Sequence, residues 1–237
     1  MATVLQLSDT HLTAGGALVH GDDPGARLAE VLAAWRCSGR QAHLVVLTGD
    51  LADDGSAAAC RAVSEQVAAL GAPVLAVPGN HDRRETVTEV FGPPGEAAVG
   101  SWRVVGVDSV LPGRVEGEIG VDAVLARLDA LDRRPTLLAV HHPPRSHSTH
   151  SWFQALGGRE LLSGLAVRPW VRGILSGHLH EPFDVAQSGL RLLGAPSTLY
   201  AIRHSGETWQ ADASVPVGAR LVELGDDSSI DSEVISP

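Results

Sequence analysis

Five short apolar segments of the chain are each followed directly by a cluster of histidine, aspartate or asparagine residues. The apolar segments are 4–7, 44–47, 74–77, 137–140 and 171–175. The clusters that follow them are Asp9-Thr10-His11, Gly49-Asp50, Gly79-Asn80-His81-Asp82, His141-His142-Pro143-Pro144 and Gly177-His178-Leu179-His180. Short apolar runs of this length indicate buried strands, and ligands of an open α/β sheet collect beyond the carboxyl ends of its strands. We therefore predict that the five clusters meet at one edge of a sheet.

The donor atoms in these clusters suit a pair of metal ions. Carboxylate and amide oxygens together with imidazole nitrogens bind divalent Mn, Fe or Zn. In Asp9-x-His11 and His178-x-His180 the donors stand two residues apart, and in an extended segment such a pair faces the same side. Taken singly, each of these residues is better explained as a capping aspartate or a satisfied core histidine. Taken together, they favour a dinuclear metal site.

The rest of the chain alternates between helical and strand patterns. Helical periodicity is present at 24–37, 56–70, 83–90 and 121–131. Further strands are predicted at 101–107, 191–193, 220–223 and 232–235, with a turn at 225–228. The segment 204–217 is polar and lacks periodicity, so we expect a surface excursion before a closing hairpin at about 219–235. Residues 1–237 are expected to form a single domain.

Composition excludes several other classes of protein. The chain has 237 residues, of which 44% are hydrophobic, enough for one large α/β domain. No segment has the uninterrupted apolar length of a membrane span, and the N-terminal segment lacks a signal pattern, so a cytoplasmic protein is expected. The two cysteines, Cys37 and Cys60, show no CxxC spacing and are predicted to be small buried hydrophobic residues.

The charged residues of the chain limit which partners it can bind and which catalytic mechanisms it can use. The formal net charge of −10 argues against duplex nucleic acid or an anionic membrane surface as a partner. A small anionic substrate remains compatible, because two divalent ions would reverse the sign of the charge locally. All 18 basic residues are arginine. Schiff-base lysines and a P-loop lysine are therefore excluded.

The five clusters occur in the same order along the chain as the motifs of a known family. The flanking segments Leu51-Ala52-Asp53 and Gly117-Glu118-Ile119 extend the similarity. The chain resembles the calcineurin-like metallophosphoesterases, and among them the bacterial class III cyclic nucleotide phosphodiesterases. This resemblance implies an α/β fold, namely a β-sandwich of two mixed sheets flanked by helices in four αββα layers. It also implies two divalent or mixed-valence metal ions, with Mn, Fe or Zn left open.

The resemblance assigns roles to individual residues. The first metal would be held by Asp9, His11, Asp50 and His180, and the second by Asn80, His141 and His178, with Asp50 bridging the two. His81 would be catalytic rather than a ligand, donating a hydrogen bond to the phosphoryl oxygen or protonating the leaving alkoxide. Asp50 would also be catalytic through its bridging position. Asp82 is expected either to orient His81 or to cap the helix that follows it.

The implied activity is that of a metal-dependent phosphodiesterase. It would hydrolyse small phosphodiesters, with 3′,5′-cyclic AMP or 2′,3′-cyclic nucleotides favoured, by in-line attack of a metal-bridging hydroxide on phosphorus. The alternatives are a phosphomonoesterase or glycerophosphodiester hydrolase of the same fold, and a non-catalytic scaffold, which the complete set of ligands disfavours. Related enzymes suggest a homodimer, whereas the sequence does not fix the oligomeric state.

Substrate selectivity is the property that the sequence predicts least well. Some relatives carry histidines just before the Gly-Glu pair, but this chain has Arg114-Val115-Glu116 there, which leaves the roles of Arg114 and Glu116 open. His147 and His150 lie either in a solvated loop or near the substrate, and the solvated loop is favoured. His142 is expected to point away from the ligand His141 and to serve in packing or in support of the site.

Overall fold

Two mixed β-sheets form the centre of the computed structural model, which describes residues 1–237. The first sheet comprises β1 (Ala2–Leu7), β2 (Leu44–Thr48), β3 (Val74–Val77), β14 (Ala219–Leu224) and β15 (Ile230–Ile235). Its spatial order is β15-β14-β1-β2-β3. The strands β1, β2 and β3 are parallel, whereas β14 pairs antiparallel with both β1 and β15.

The second sheet has six strands. They are β4 (Glu96–Val99), β5 (Trp102–Val107), β7 (Thr136–Val140), β9 (Val171–Ser176), β10 (Phe183–Gln187) and β11 (Leu190–Gly194). Their order is β10-β11-β9-β7-β5-β4, with the four inner strands parallel and the two outer strands antiparallel to their neighbours. Two small sheets pair β6 (Gly117–Glu118) with β8 (Ala155–Leu156) and β12 (Ile202–Ser205) with β13 (Thr208–Ala211).

Five helices connect these strands. They are α1 (Pro24–Cys37), α2 (Ala57–Ala68), α3 (Arg84–Phe91), α4 (Val121–Ala130) and α5 (Gly158–Leu165). Local chemistry fixes where the first two begin. Asp23 accepts hydrogen bonds from the amides of Gly25 and Ala26 ahead of α1, and Ser56 accepts one from Ala59 ahead of α2. None of the five has the length and apolarity that crossing a membrane would require.

The side chains of each strand alternate between the two faces of its sheet, and both faces are packed, which gives four layers. Val4 and Val46 point into the apolar core between the two sheets. Leu5 and Leu47 point to the opposite face, where they pack against α1, α2 and α3. The outer face of the second sheet packs against α4 and α5, with Leu138 in that cluster. Because side chains alternate with a period of two, one strand serves both layers. The αββα architecture is confirmed.

Most predicted elements are confirmed to within two residues, but one expectation about the cysteines is wrong and some elements were not predicted. The segment 204–217 is largely exposed, as a surface excursion requires, and its first part belongs to an antiparallel hairpin of β12 and β13. Cys60 is buried, but Cys37 is exposed at the end of α1. The helix α5 and the strands β4 and β10 had no assignment at all. The hairpin of β14 and β15 turns at 225–228, where a turn was expected.

Candidate metal centre

The five polar clusters lie together at one edge of the two sheets. They follow the carboxyl ends of β1, β2, β3, β7 and β9. These ends meet because β1–β3 are parallel in one sheet and β7 and β9 are parallel in the other. The loops that follow the strands bring all seven predicted ligands to one place. Six of the seven are buried, and Asn80 is partly exposed.

The first group of donors contains Asp9, His11, Asp50 and His180. One donor atom of each lies within 4.8 Å of the others. His180 Nε2 is 3.3 Å from Asp9 Oδ1 and 3.2 Å from His11 Nε2. His11 Nε2 is in turn 3.9 Å from Asp50 Oδ2. These are the four residues expected around the first metal.

The second group meets the first at Asp50. His141 Nε2 lies 3.1 Å from Asn80 Oδ1 and 3.5 Å from Asp50 Oδ2, and the His141 and His178 rings are 4.9 Å apart. Asp50 Oδ2 is therefore within 4 Å of an imidazole nitrogen in each group. The other oxygen, Oδ1, accepts a hydrogen bond of 2.8 Å from the backbone amide of His81. That arrangement suits a carboxylate shared between two cations.

Each histidine of the two groups has one ring nitrogen held by a protein oxygen. A carbonyl or carboxylate oxygen can only accept, so it fixes the tautomer and leaves the opposite nitrogen with a free lone pair. Second-sphere partners of this kind are typical of metal-binding histidines, so the residues fit the ions that the family pattern requires. The pairs are His11 Nδ1 with Asp53 Oδ1 (3.0 Å), His141 Nδ1 with Thr48 O (2.7 Å), His178 Nε2 with Trp152 O (2.8 Å) and His180 Nδ1 with Tyr200 O (3.0 Å).

The electrostatics of the site suit metal binding as well. Burial alone would raise the pKa of Asp50, but the neighbouring imidazoles, His141 foremost, hold it well below the usual value. Asp9 follows the same pattern. Burial acts to raise its pKa, the neighbouring His180 acts to lower it, and the net effect is a lowered pKa. Burial lowers the pKa of His11 and His178. The two aspartates are thus anionic and these two histidines neutral at neutral pH, which are the forms that bind cations.

The backbone is unusual at the same positions. Asp9, His11, Asp50, His178 and His180 have positive φ angles of 48° to 69°. Only His20, Ser188 and Ser228 share this property among the remaining non-glycine residues. Left-handed backbone is disfavoured for residues with a side chain, and such residues concentrate at functional sites. The tight turns after the strands are what aim the donors at a common point.

Glycines next to the donors allow the loops to approach each other. A Cβ atom on Gly177 would lie 2.0 Å from Ser8 Oγ and 2.8 Å from Asp9 Oδ2. Gly49 has a φ of +88°, and its Cβ would lie 2.5 Å from His141 Nδ1. Neither position can hold a larger residue without moving a donor. The glycines of these clusters are therefore part of the site.

His81 stands apart from the two groups of donors. Its side chain is 41% exposed, and its ring meets the His11 ring edge-on with centroids 4.7 Å apart. Its Nδ1 lies 3.3 Å from Asp53 Oδ1, the same oxygen that holds His11. Asp53 therefore orients both imidazoles. The sequence motifs assign Asp53 no role, although it lies only three residues after Asp50.

Both predictions for Asp82 are wrong. Its buried carboxylate accepts hydrogen bonds from the amides of Leu51, Ala52 and Gly79 at 2.9–3.2 Å. It therefore joins the loop after β2 to the loop after β3, whereas the His81 ring is held by Asp53 and not by Asp82. The residue that precedes α3 is Arg83, so Asp82 is not the N-cap either. Burial, together with the charge of Asp50, raises the pKa of Asp82 to about 7.

His142 packs against the rings of the candidate ligands His141 and His178. Its ring is 4.7 Å from that of His141 and 4.4 Å from that of His178, so it does not point away from the ligands. Strand alternation no longer applies at this residue, because β7 ends at Val140. Both ring nitrogens are engaged, with Ser109 Oγ at 2.8 Å and Val115 O at 3.0 Å. Burial lowers the pKa of His142 to about 3, so the ring stays neutral.

A cleft of about 400 Å³ opens above the donors. Its walls come from the 3₁₀ turn Ser151–Phe153 and from the β12–β13 hairpin. No arginine lines it. The wall residues are His20, Asp22, Val115, Trp152, Phe153, Tyr200, Ile202, Trp209 and Ala211.

The four residues whose roles were left open do not line this cleft. Arg114 forms an ion pair with Glu116, and the residue between them, Val115, reaches the cleft instead. His150 accepts a hydrogen bond from the amide of Trp152 at 3.2 Å. His147 pairs with Glu181. The tryptophans of the wall were missed, because isolated aromatic residues in irregular segments carry no periodic signal.

Known proteins resemble this chain in sequence and in fold. The sequence model of the calcineurin-like phosphoesterase family matches residues 2–182. The 3′,5′-cyclic adenosine monophosphate phosphodiesterases CpdA of Pseudomonas aeruginosa and Escherichia coli K12 are each 33% identical, over 98% of this chain and 88% of their own. A dimetal phosphatase from Danio rerio superposes with a TM-score of 0.68 at 14% identity, covering 99% of this chain and 98% of that one. The chain therefore belongs to the calcineurin-like phosphoesterase family.

Proposed function

We propose that this protein is a metal-dependent phosphodiesterase that hydrolyses small phosphodiesters, with 3′,5′-cyclic nucleotides as substrates. The observation that carries the proposal is the position of Asp50. Its Oδ2 atom lies between two sets of donors, 3.5 Å from His141 Nε2 and 3.9 Å from His11 Nε2, at the floor of an open cleft. A buried carboxylate flanked in this way by two imidazole nitrogens is suited to a position between two cations.

Seven residues would hold the metals. Mn, Fe and Zn all accept this mixture of oxygen and nitrogen donors. When bound, such ions supply positive charge that polarises a phosphoryl group and lowers the pKa of water. The first set is Asp9, His11, Asp50 and His180, and the second is Asn80, His141 and His178 together with Asp50.

His81 would act as the proton donor. Asp53 holds its Nδ1, so Nε2 is the nitrogen available to a substrate in the cleft. With Nδ1–H directed at the carboxylate of Asp53, a ring that carries a proton on Nε2 as well can donate that proton to the alkoxide that leaves phosphorus. Asn80, the residue before it, lies at the floor beside His141. We therefore assign His81 to the leaving-group side of the reaction.

The walls of the cleft favour a nucleotide diester over a simple monoester. A terminal phosphate carries two negative charges and is commonly held by arginine, but no arginine lines this cleft. Trp152 and Trp209 are instead 44% and 41% exposed, with ring centroids 5.9 Å apart. Exposed indole faces bind nucleobases by stacking. Burial raises the pKa of the nearby Tyr200, whose neutral hydroxyl can donate a hydrogen bond to a ligand.

The relatives support the same substrate class. The P. aeruginosa and E. coli proteins are named for 3′,5′-cyclic AMP and align over nearly the whole chain. The net charge of −10 and a cleft of about 400 Å³ fit a small substrate better than duplex nucleic acid.

The proposal is tested with purified protein that has been stripped of metal and reconstituted with Mn²⁺. The substrates are 3′,5′-cyclic AMP, 2′,3′-cyclic AMP, bis(p-nitrophenyl) phosphate and the monoester p-nitrophenyl phosphate. We expect Mn²⁺-dependent cleavage of the diesters, with 3′,5′-cyclic AMP having the highest kcat/KM. His141→Ala should abolish this cleavage, whereas the matched control His43→Ala, at an exposed position, should retain it. Faster turnover of the monoester than of any diester would overturn the proposal.

A further inference from the structure

A second cluster of donors lies outside the candidate metal centre. It comprises His147, in the loop after β7, Glu181, which directly follows His180, and His204, in β12. One donor atom of each lies within 4.8 Å of the others. His147 Nε2 is 3.0 Å from Glu181 Oε2, and the backbone amide of His204 lies 3.4 Å from the same oxygen. Nothing in the proposed reaction uses these three side chains.

The state of His204 indicates that the cluster is more than an ion pair. Its Nε2–H donates to the carbonyl of Leu179 at 2.9 Å, so Nδ1 keeps its lone pair. Nδ1 is shielded from solvent and has no hydrogen-bond partner within the protein. A buried acceptor without a partner is unfavourable. A carbonyl oxygen on one nitrogen and a free lone pair on the other is also the arrangement of the candidate ligands His141, His178 and His180 in the centre.

We propose that His147, Glu181 and His204 form a third metal site, specific for a zinc-like divalent cation. Two imidazoles and one carboxylate are a known ligand set for zinc, with the fourth position left to water. Ligands of one tetrahedral zinc ion lie about 3.3 Å apart. The observed separation of 3.0 Å between His147 and Glu181 is close to that value.

The surroundings separate this site from the centre. The ring of Phe153 lies between them, 4.3 Å from the His204 ring and 5.4 Å from that of His178. Arg203 is the competing cation, since its Nη1 lies 3.9 Å from Glu181 Oε1. Arg203 is also paired with Asp212 at 2.6 Å, so Glu181 Oε2 remains available on the side of the two histidines.

A cation at this site would join three segments. One carries Trp152 and Phe153, one carries His178 and His180, and the third is the β12–β13 hairpin with Trp209. The loop and the hairpin already touch, since the amide of Thr149 donates to Gly206 O at 2.9 Å. Metal binding would therefore fasten the wall of the cleft to its floor. This inference goes beyond the proposed function, because it concerns the wall and not the reaction.

The test compares the zinc content of matched variants. Metal-stripped wild type, His147→Ala, Glu181→Gln and the control His150→Ala are each loaded with Zn²⁺, freed of excess metal and measured by inductively coupled plasma mass spectrometry. The His147 side chain is 44% exposed, so its removal should leave the fold intact, and His150 is a histidine of the same loop outside the cluster. We expect wild type and His150→Ala to hold one more zinc per chain than the other two variants.

The readout is a difference between variants and does not depend on activity. It stands even where the dinuclear centre loads incompletely, because that deficit is common to all four proteins. Hydrogen exchange provides a second measurement. Zn²⁺ should slow amide exchange over residues 202–211 in wild type but not in His147→Ala. Equal zinc content in all four proteins would overturn the proposal and leave His147 and Glu181 as an ion pair only.

Discussion

The floor and the wall of the cleft differ in almost every physical property. The floor, defined as the seven candidate ligands, consists of mostly buried side chains on turns after parallel strands. The two wall segments 151–153 and 202–211 present half-exposed tryptophans on a 3₁₀ turn and a two-stranded hairpin. Rigid scaffolding fixes the chemistry, whereas adaptable segments contact the variable part of a substrate. The difference indicates that reaction type and substrate choice are encoded in separate regions.

A substitution at the floor should reduce activity more than one anywhere else in the cleft. Asp50→Asn keeps the shape of the side chain but removes the charge shared by the two sets of donors. We expect kcat for bis(p-nitrophenyl) phosphate to fall at least about a hundredfold, the scale seen when a group that stabilises transition-state charge is lost. Metal content should fall with it. The exposed neighbour Asp54 is the control, and Asp54→Asn should retain activity and metal.

The next effect should come from the support of the floor. Asp53→Asn weakens the hold on His11 and His81 without removing a predicted ligand. Mutation of such second-sphere partners commonly costs 10–100-fold in metal affinity or activity. We expect a loss of that order in kcat, because Asp53 orients the rings of both His11 and His81. An unchanged kcat would argue that neither ring depends on Asp53 for its orientation.

Packing of the floor can be tested at Gly177. A Cβ there meets Ser8 Oγ at 2.0 Å and Asp9 Oδ2 at 2.8 Å, so Gly177→Ala must displace a donor. We expect a loss of about 1–3 kcal/mol in the free energy of unfolding, typical of overpacking, measured in urea. Gly95→Ala is the control, since its nearest contact is 3.5 Å from Pro93 O. Equal stability of the two variants would mean that the loops adapt.

The smallest effect should come from the wall, and it should have a different kinetic signature. Trp209→Ala removes a stacking surface while leaving every donor in place. Stacking of a base on an aromatic residue contributes about 1–3 kcal/mol. We expect KM for 3′,5′-cyclic AMP to rise about tenfold, equivalent to about 1.4 kcal/mol, with kcat nearly unchanged. Trp209→Phe should restore most of the affinity. A fall in kcat instead of a rise in KM would mean that Trp209 contributes to the reaction itself. Wall and floor would then not have separate roles.

The sequence predicted the floor because strand ends and donors leave local signals. Apolar runs followed by Asp, Asn or His locate both the strand and its ligand, and the parallel order brings the ends together. All seven predicted ligands lie at the centre, and their role as metal ligands remains a prediction. His142 was misplaced because strand alternation was extended past Val140, where β7 ends.

The wall left no comparable signal. Trp152 and Trp209 are far apart in the chain, and they meet only through tertiary packing. The strand that carries Trp209, β13, is exposed throughout, so it shows no alternation between buried and exposed residues. The roles of Asp53 and Asp82 also depend on contacts between loops, as Asp82 holds amides 30 residues away. Contacts of that kind are not encoded by any local pattern.

The left-handed backbone at five of the candidate ligands has an evolutionary consequence. Each such residue carries an unfavourable conformation of roughly 1–2 kcal/mol that the surrounding fold must hold in place. Substituting glycine at His178 or His180 would relieve that strain and remove a crowded imidazole at the same time. Stability and activity therefore pull in opposite directions here, as they do in many enzymes. Selection for the reaction, and not for stability, would therefore maintain these loops in their present form.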